Sequence, residues 1–269
     1  MILTHCVSTV LFSRYMFNYA DDAMAKLAVL IDADNAQPKI IRVLLSEIAR
    51  YGTAFVKRAY GDWTGTRLKG WKEQLLENSI HPVQQFAYTQ GKNSTDSAMV
   101  IDAMDLLYMN RFDGFCLVSS DSDFTGLASR IRESGLVVYG CGERRTPRPF
   151  VTACDKFIYI ENLISSGLTP HGGSPTVTSV AKTKMEDHGH VTRLLREAVE
   201  ATSDHDGWAE LSDVGGLVTK RHPDFDPRSY QHRKLSELIA TIPIFEVDRR
   251  ALGGGKQSAI YVRVKHGCD

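Results

Sequence analysis

The hydrophobic positions from Leu27 onward alternate between short β-rich runs and longer segments with helical spacing. Six apolar runs predict strands at residues 27–31, 53–60, 80–86, 114–119, 136–141 and 156–160, the last at an edge. Four segments between them predict helices at residues 38–50, 66–78, 94–109 and 124–134. This alternation is typical of an α/β domain with a mostly parallel, Rossmann-like sheet and helices on both faces.

A second domain is predicted after a polar segment rich in Gly, Ser and Pro. Beyond that segment, residues 191–201, 209–221 and 229–240 predict helices, and residues 244–249 and 258–264 predict two strands. Three helices followed by a hairpin are typical of a winged helix. We therefore predict an α/β domain at 25–164, a linker at 165–187 and a C-terminal winged-helix domain at 188–266.

Residues 1–24 are expected to be a poorly ordered N-terminal extension. The apolar start lacks a basic region before it, and His5 and Arg14 interrupt it, so neither a secretion signal nor a membrane span is predicted. Met24 directly precedes the first strand, which favours a translation start at that residue.

The net charge and the cysteine spacing bear on nucleic-acid binding and on the cellular location of the protein. Lys and Arg together number 32, as do Asp and Glu, so a nucleic-acid surface has to come from local separation of charge. The five cysteines show no paired spacing. This pattern favours a reducing, cytoplasmic location without a membrane partner.

Acidic side chains follow two of the predicted strands. Asp32 and Asp34 come after the first strand, Asp121 and Asp123 follow the fourth, and Asp96 begins the helix before the fourth strand. In open α/β sheets, ligands bind at the carboxyl ends of strands, near the switch in strand order. We therefore expect these carboxylates to converge on one cleft.

Converging carboxylates repel each other unless a cation neutralises them. Oxygen ligands without a Cys or His cluster favour Mg²⁺ or Mn²⁺ over zinc, and such an ion can activate water and polarise a phosphate. The residues thus predict phosphodiester hydrolysis. Hydroxyls that could orient the carboxylates are those of Ser119, Ser120 and Thr95. Candidate cations for the substrate backbone are Lys57, Arg58, Lys69, Lys92, Arg144 and Arg145.

Simpler interpretations apply to several of these residues. An aspartate between a strand and a helix is often only a helix N-cap, although the segments DADN (32–35) and SDSD (120–123) hold more carboxylates than a cap needs. Asp102 and Asp105 are interpreted as solvated or structural residues, with Asp102 also a weaker candidate for a residue that orients the metal ligands. Trp63 and Trp71 are interpreted as partly buried anchors rather than as base-stacking platforms.

Three segments resemble the NYN domain of the LabA type, a branch of the PIN-like nuclease superfamily: LAVLIDADNA (27–36), GKNSTDSAMVIDAMDLLY (91–108) and FCLVSSDSDFTGLASRIRESGLVVYGCG (115–142). The resemblance covers most of residues 27–163 and implies a PIN-like fold and metal-dependent ribonuclease activity. Asp34 and Asn35 match less closely and are assigned supporting roles. The catalytic and metal-binding positions of the family fall on Asp32, Asp96, Asp121 and Asp123.

The segment KNSTD (92–96) departs from the family pattern. Where the family often has Lys-Gly-x-Asp before the long helix, this chain is one residue longer. The alignment of Asp96 with the family's metal-binding aspartate is therefore less exact than that of the other positions.

Residues 190–265 resemble an OST-HTH, or LOTUS, domain, a winged helix linked to RNA binding or protein docking. The resemblance rests on the helix order, on RHPDFDPRSYQHRKLSELI (221–239) and on the closing strands. It implies binding of single-stranded or structured RNA, while a protein partner and a homodimer remain open. Basic residues that predict an RNA-binding face are Lys220, Arg221, Arg228, Arg233, Lys234, Arg249, Arg250 and Lys256.

Three other functions fit the sequence less well. Asp32 and Asp34 after the first strand also suit a haloacid-dehalogenase-like phosphatase, but that family usually has Thr or Val where Ala36 stands. A nicotinamide enzyme lacks support because no glycine-rich turn follows the first strand. A regulatory RNA-binding adaptor without catalysis is the non-enzymatic alternative.

Overall fold

The computed structural model describes residues 24–86, 94–165, 184–250 and 258–265. The first part of the chain forms a six-stranded sheet with the order β3-β2-β1-β4-β5-β6, and each strand pairs in parallel with its neighbours. The strands are β1 (Lys26–Asp32), β2 (Thr53–Gly61), β3 (His81–Gln84), β4 (Gly114–Val118), β5 (Val137–Gly142) and β6 (Lys156–Tyr159). The prediction of an α/β domain with a parallel sheet is confirmed.

Helices cover both faces of the sheet. They are α1 (Ile41–Ile48), α2 (Trp71–Glu77), α3 (Ser94–Tyr108), α4 (Thr125–Glu133), α5 (Arg148–Ala153) and α6 (Ile160–Ser165). One buried apolar cluster joins the sheet to α3, α4 and α5, and a second cluster joins it to α1, α2 and α6. The sheet is therefore protected from water on both sides, as its continuous apolar strands require.

Two helices differ from their predicted bounds. Pro38 opens a 3₁₀ turn, Pro38–Ile40, so that α1 proper begins at Ile41. Residues 66–70 form turns and α2 starts only at Trp71, whose side chain is buried. The short helices α5 and α6 were not predicted.

The strand order reverses between β1 and β4. The chain runs outward from β1 to β2 and β3, and α3 then carries it back to β4 on the other side of β1. Ile31 near the end of β1 pairs with Val118 at the end of β4. The carboxyl ends of these two strands consequently meet at the topological switch point, where ligands bind in sheets of this type.

A smaller domain follows. It contains α7 (Lys184–Thr202), β7 (Ala209–Glu210), α8 (Leu211–Arg221), α9 (Leu235–Ala240), β8 (Phe245–Arg250) and β9 (Ala259–Val264). Its strands form an antiparallel sheet in the order β7-β9-β8, and its core is separate from those of the first domain. The predicted helix at 229–240 begins later, at Leu235, because Gln231 adopts a left-handed conformation with φ of 67°.

The predicted helices and strands occur in the predicted order, and α5, α6 and β7 are additional elements. The winged-helix assignment and the four domain bounds stay predictions. Residues 1–23 and 166–183, which hold the predicted N-terminal extension and most of the predicted linker, lie outside the described residues. In the described parts of the chain, no helix combines the length and apolar character needed to traverse a bilayer.

The smaller domain contacts the exposed edge of the sheet. The Phe157 backbone N–H on β6 donates to the Pro223 carbonyl oxygen at 2.8 Å. Asp224 accepts a hydrogen bond from the Tyr159 hydroxyl at 3.1 Å and forms an ion pair with Arg148 at 2.6 Å. The segment after α8 therefore runs beside β6.

A buried ion cluster centred on Arg228 adds to this contact. The Arg228 guanidinium donates to Glu47 on α1 at 2.9 and 3.1 Å and to Asp226 at 2.7 Å. The side chain of Glu47 is 2% exposed. Burial by itself raises the pKa of this carboxyl, but the hydrogen bonds and charge of Arg228 outweigh it and hold the pKa below its ordinary value. The charge of Glu47 is thus stabilised mainly by a residue of the other domain, with a smaller contribution from Arg50.

Arg228→Ala is expected to lower the free energy of unfolding at pH 7 by about 3–5 kcal/mol, because it leaves buried carboxylates without their cation. Since the pKa of Glu47 is lowered on folding, the stabilisation is complete above the ordinary value of 4.5 and is lost as pH falls through the folded-state pKa. The difference between the proteins should therefore shrink below about pH 4.5. Urea denaturation at several pH values measures both effects.

Arg50→Ala is the matched control. Arg50 pairs with the same carboxyl, but its side chain is 66% exposed, so we expect less than about 1 kcal/mol. Equal losses in both variants would contradict the buried-cluster interpretation.

Candidate metal centre

Asp32 ends β1 as a fully buried carboxylate. One oxygen accepts the backbone N–H groups of Asp34 and Asn35 at 3.2 and 3.3 Å. The other accepts the Asn35 amide at 2.6 Å and the Ser119 hydroxyl at 2.8 Å. Burial raises the pKa of Asp32 more than these hydrogen bonds lower it. The turn after β1 thus holds a carboxylate whose charge is costly without a nearby cation.

Ser119 connects the ends of β1 and β4. Its hydroxyl donates to Asp32 and accepts the backbone N–H of Asp121 at 3.1 Å. Asp121 in turn accepts the backbone N–H of Asp123 at 3.0 Å, which caps the 3₁₀ turn before α4. The capping interpretation therefore holds for Asp121, and the same turn fixes the position of Asp123.

Asp96, Asp121 and Asp123 form the acidic cluster. One carboxylate oxygen of each lies within 4.8 Å of the others. Asp96 comes from the first turn of α3, so the cluster joins the start of that helix to the end of β4. Burial, reinforced by the charges of neighbouring aspartates including Asp32, raises the pKa of Asp96 to about 6. Asp32 lies outside the 4.8 Å group but acts on it electrostatically.

Asp34 contacts both the start of α3 and the connection between β2 and α2. It accepts the Thr95 hydroxyl at 2.9 Å and pairs with Arg67 at 2.7 Å. Thr95 thereby ties the start of α3 to the turn after β1. Arg67, which sequence reasoning missed, comes from the connection between β2 and α2, and no spacing rule would have linked it to Asp34.

The remaining predicted supporting residue lies elsewhere. The Ser120 hydroxyl accepts the backbone N–H of Glu143 at 2.9 Å and so joins the end of β4 to the segment after β5. Asn35, in contrast, contacts Asp32 directly. Three of the predicted polar side chains, those of Ser119, Thr95 and Asn35, therefore donate to Asp32 or Asp34, and that of Ser120 contacts the segment after β5.

The cations predicted in the α/β domain mostly have partners within the protein. Arg58 pairs with Asp102 of α3, which also accepts the Tyr60 hydroxyl, so Asp102 is structural. Lys57 donates to the Asn78 carbonyl oxygen. Arg144 donates to Asn162 and to Ser229 of the second domain, Arg145 pairs with Glu143, and Lys92 lies outside the described residues.

Lys256 lies outside the described residues, and the other cations predicted in the second domain fall into two groups. Arg228 is occupied in the buried ion cluster, and Arg250 pairs with Asp248 while its guanidinium stacks on Trp208 and Tyr261 at 4.7 and 4.4 Å. These two placements argue against a role on an open basic face. The exposed cations of the predicted set are Arg221, Arg233, Lys234 and Arg249, together with Lys220 at the rim of an interdomain cleft.

The acidic cluster has the chemistry of a hard-cation site. Its donors are three carboxylates, and neither a thiol nor an imidazole belongs to the group. Oxygen donors of this kind suit Mg²⁺ or Mn²⁺. Burial is the main cause of the raised pKa of Asp96, and repulsion by the neighbouring aspartates adds to it; a bound dication would offset both effects.

Comparisons with known proteins agree with this architecture. The NYN domain model matches residues 26–161, and the OST-HTH/LOTUS domain model matches residues 186–257. Both domains therefore occur in the predicted order. No curated protein matches the chain.

Three solved structures are similar to parts of the chain. A protein of unknown function from Vibrio parahaemolyticus is 19% identical with a TM-score of 0.46, and the alignment covers 52% of this chain and 95% of that one. An uncharacterised protein of Nitrosomonas europaea is 31% identical with a TM-score of 0.29, and the alignment covers 37% of this chain and 93% of that one. A segment of a Chromobacterium violaceum protein is 31% identical with a TM-score of 0.25, and the alignment covers 29% of this chain and 83% of that segment.

The NYN match spans residues 26–161, or 136 of 269 residues, and includes every residue of the acidic cluster. It also contains the six-stranded sheet with its switch point between β1 and β4. The chain therefore belongs to the NYN domain family and carries an OST-HTH/LOTUS domain after the NYN domain.

Proposed function

We propose that the chain is a metal-dependent endoribonuclease that hydrolyses RNA phosphodiester bonds. The observation that carries the proposal is the convergence of Asp96, Asp121 and Asp123 at the switch point of the sheet. NYN domains are usually ribonucleases, and an RNA-binding domain follows this one. Both findings support an RNA substrate.

The acidic residues have distinct proposed roles. Asp96, Asp121 and Asp123 would hold Mg²⁺ or Mn²⁺, which supplies the charge to polarise a phosphate and activate water. Asp32 adds negative charge beside them, and Asn35 and Ser119 keep its carboxylate in one orientation. Asp34 and Thr95 hold the start of α3 against the turn after β1, which positions Asp96.

The phosphatase alternative has less support. A nucleophilic aspartate needs an oxygen that can reach the phosphorus atom, yet both oxygens of Asp32 accept hydrogen bonds within the protein. Both oxygens of Asp34 are also engaged, by Arg67 and Thr95. Neither residue has the surroundings of a covalent catalyst.

Replacing Asp121 or Asp123 with Asn is expected to reduce Mn²⁺-dependent RNA cleavage roughly 100-fold or more, because each change removes a ligand charge. Asp32→Asn should also reduce cleavage. The rate of internal cleavage of a labelled single-stranded RNA measures the effect, and a phosphomonoester tested in parallel distinguishes a phosphatase.

Asp105→Asn is the matched control, since Asp105 is an exposed carboxylate on the same helix as Asp96. It should leave the rate unchanged. Undiminished cleavage by the Asp121 and Asp123 variants would refute the ligand assignment, and absence of cleavage by the unaltered protein in Mg²⁺ and Mn²⁺ would favour the adaptor.

Charge reversal at Arg221, Arg233 or Arg249 is expected to weaken RNA binding, because these exposed cations are proposed to bind phosphates. For a single-stranded RNA, removing one such cation should reduce the slope of log affinity against log salt by about 0.7. Fluorescence anisotropy across a salt series measures both quantities.

Arg111→Glu serves as the control because Arg111 is exposed just before β4, at the amino-terminal end of the strands and opposite the acidic cluster. If this variant weakens binding as much as the others, the effect reflects overall charge and contradicts an RNA-binding face on the second domain.

A further inference from the structure

A groove lies beside the turn that carries Asp32 and Asp34. Its volume is about 410 Å³, which is within the range of small-ligand sites. The connection between β2 and α2, helix α2 and the start of β3 form its walls. We call it the Trp63 groove, and the residues that matter here are Trp63, Leu68, Lys69, Lys72, Leu75 and Leu76.

The aromatic wall of the Trp63 groove is rigid. The Trp63 backbone N–H donates to the Gln84 side-chain oxygen, and its indole N–H donates to the Val83 carbonyl oxygen, each at 3.0 Å. The indole also packs edge-on against the buried ring of Trp71, with centroids 6.4 Å apart. A flat ligand would therefore meet a fixed apolar surface, which lowers the entropic cost of binding.

The Trp63 groove adjoins the acidic site. Leu68 and Trp63 pack over Gly61 at the end of β2, and Ala33 packs against the same glycine. Ala33 stands between Asp32 and Asp34, and Arg67 of the groove's connecting segment forms the 2.7 Å ion pair with Asp34. The groove therefore adjoins the turn that carries Asp32 and Asp34, two of the aspartates whose charges act on Asp96 of the acidic cluster.

The rim of the Trp63 groove is cationic. Lys69 and Lys72 are both exposed and line it. Within the described residues, neither lysine has an ion-pair partner. Glu73 and Glu77 share α2 with Lys72 but do not line the groove. An apolar interior with cations at its mouth complements a ligand that has a flat apolar part and an adjoining negative charge.

We propose that the Trp63 groove binds an unpaired base of a single-stranded RNA whose backbone continues to the acidic cluster, with Lys69 and Lys72 contacting adjacent phosphates. This inference rests on the proposed function, because it assigns a substrate-binding subsite to the same site. Bases in single-stranded RNA are available for contact with aromatic side chains, whereas bases in a duplex are stacked and paired. The groove thereby favours unpaired over double-stranded RNA near the cleaved bond.

Two variants separate base contact from phosphate contact. Leu76 is 73% exposed on the groove wall, so Leu76→Ser removes apolar surface without disturbing the core. It should weaken binding of a short single-stranded RNA about tenfold and leave binding of the same oligomer without bases unchanged. Lys72→Glu should weaken binding of both oligomers, because the phosphates remain.

The measurement is fluorescence anisotropy of labelled oligomers with the full chain in EDTA, so that it reads binding whether or not the protein cleaves RNA. The matched controls are Met109→Ser and Arg111→Glu, at exposed positions between α3 and β4, and they should change neither affinity. Circular dichroism verifies the fold of each variant. Cleavage in Mn²⁺ is assayed separately, so failure of the nuclease proposal is distinguishable from failure of the groove proposal.

Two outcomes would overturn the base-binding proposal. Equal weakening of both oligomers by Leu76→Ser would mean that the groove does not sense the base. Unchanged RNA affinity in both groove variants would mean that RNA does not occupy the groove. That result is expected if the groove instead binds an apolar side chain of a protein partner.

Discussion

The buried carboxylate of Asp32 is the constraint around which the site is built. A charge without contact with water at the end of a central strand is stable only if polar groups surround it. The turn after β1 provides two backbone N–H groups and an amide, while β4 provides the Ser119 hydroxyl. The hydrogen bonds that Asp32 accepts therefore connect the end of β1 to the end of β4. The acidic cluster lies beside this connection, because Ser119 also contacts Asp121.

The sheet was predictable because its central strands are buried on both faces and read as unbroken apolar runs. The short helices α5 and α6, with six residues each, are too brief to show helical periodicity. At the site, strand ends and the start of α3 predicted that five aspartates converge, and the structure groups Asp96, Asp121 and Asp123. The hydrogen bonds that set Asp32 apart from that group depend on side-chain geometry, which spacing along the chain does not encode.

The positions of basic residues in the sequence predicted the RNA-binding surface less well than the strand ends predicted the acidic site. Arg58 and Arg228 were assigned to RNA because they are basic, yet each pairs with a carboxylate far away in the sequence, Asp102 and Glu47 respectively. One signal did exist: Glu47 lies three residues after Leu44 on the apolar face of α1, where a carboxylate is out of place unless a cation meets it. Nothing in the sequence identified Arg228 as that cation.

The hydrogen bond between Phe157 and Pro223 has a consequence for handling the NYN domain alone. β6 is an outer strand, and an outer strand with uncovered backbone groups can add strands from another molecule. The second domain covers part of that edge. Truncation after the first domain would therefore expose a surface prone to intermolecular β-pairing, and aggregation of such a fragment would reflect loss of this cover rather than a defect in its own core.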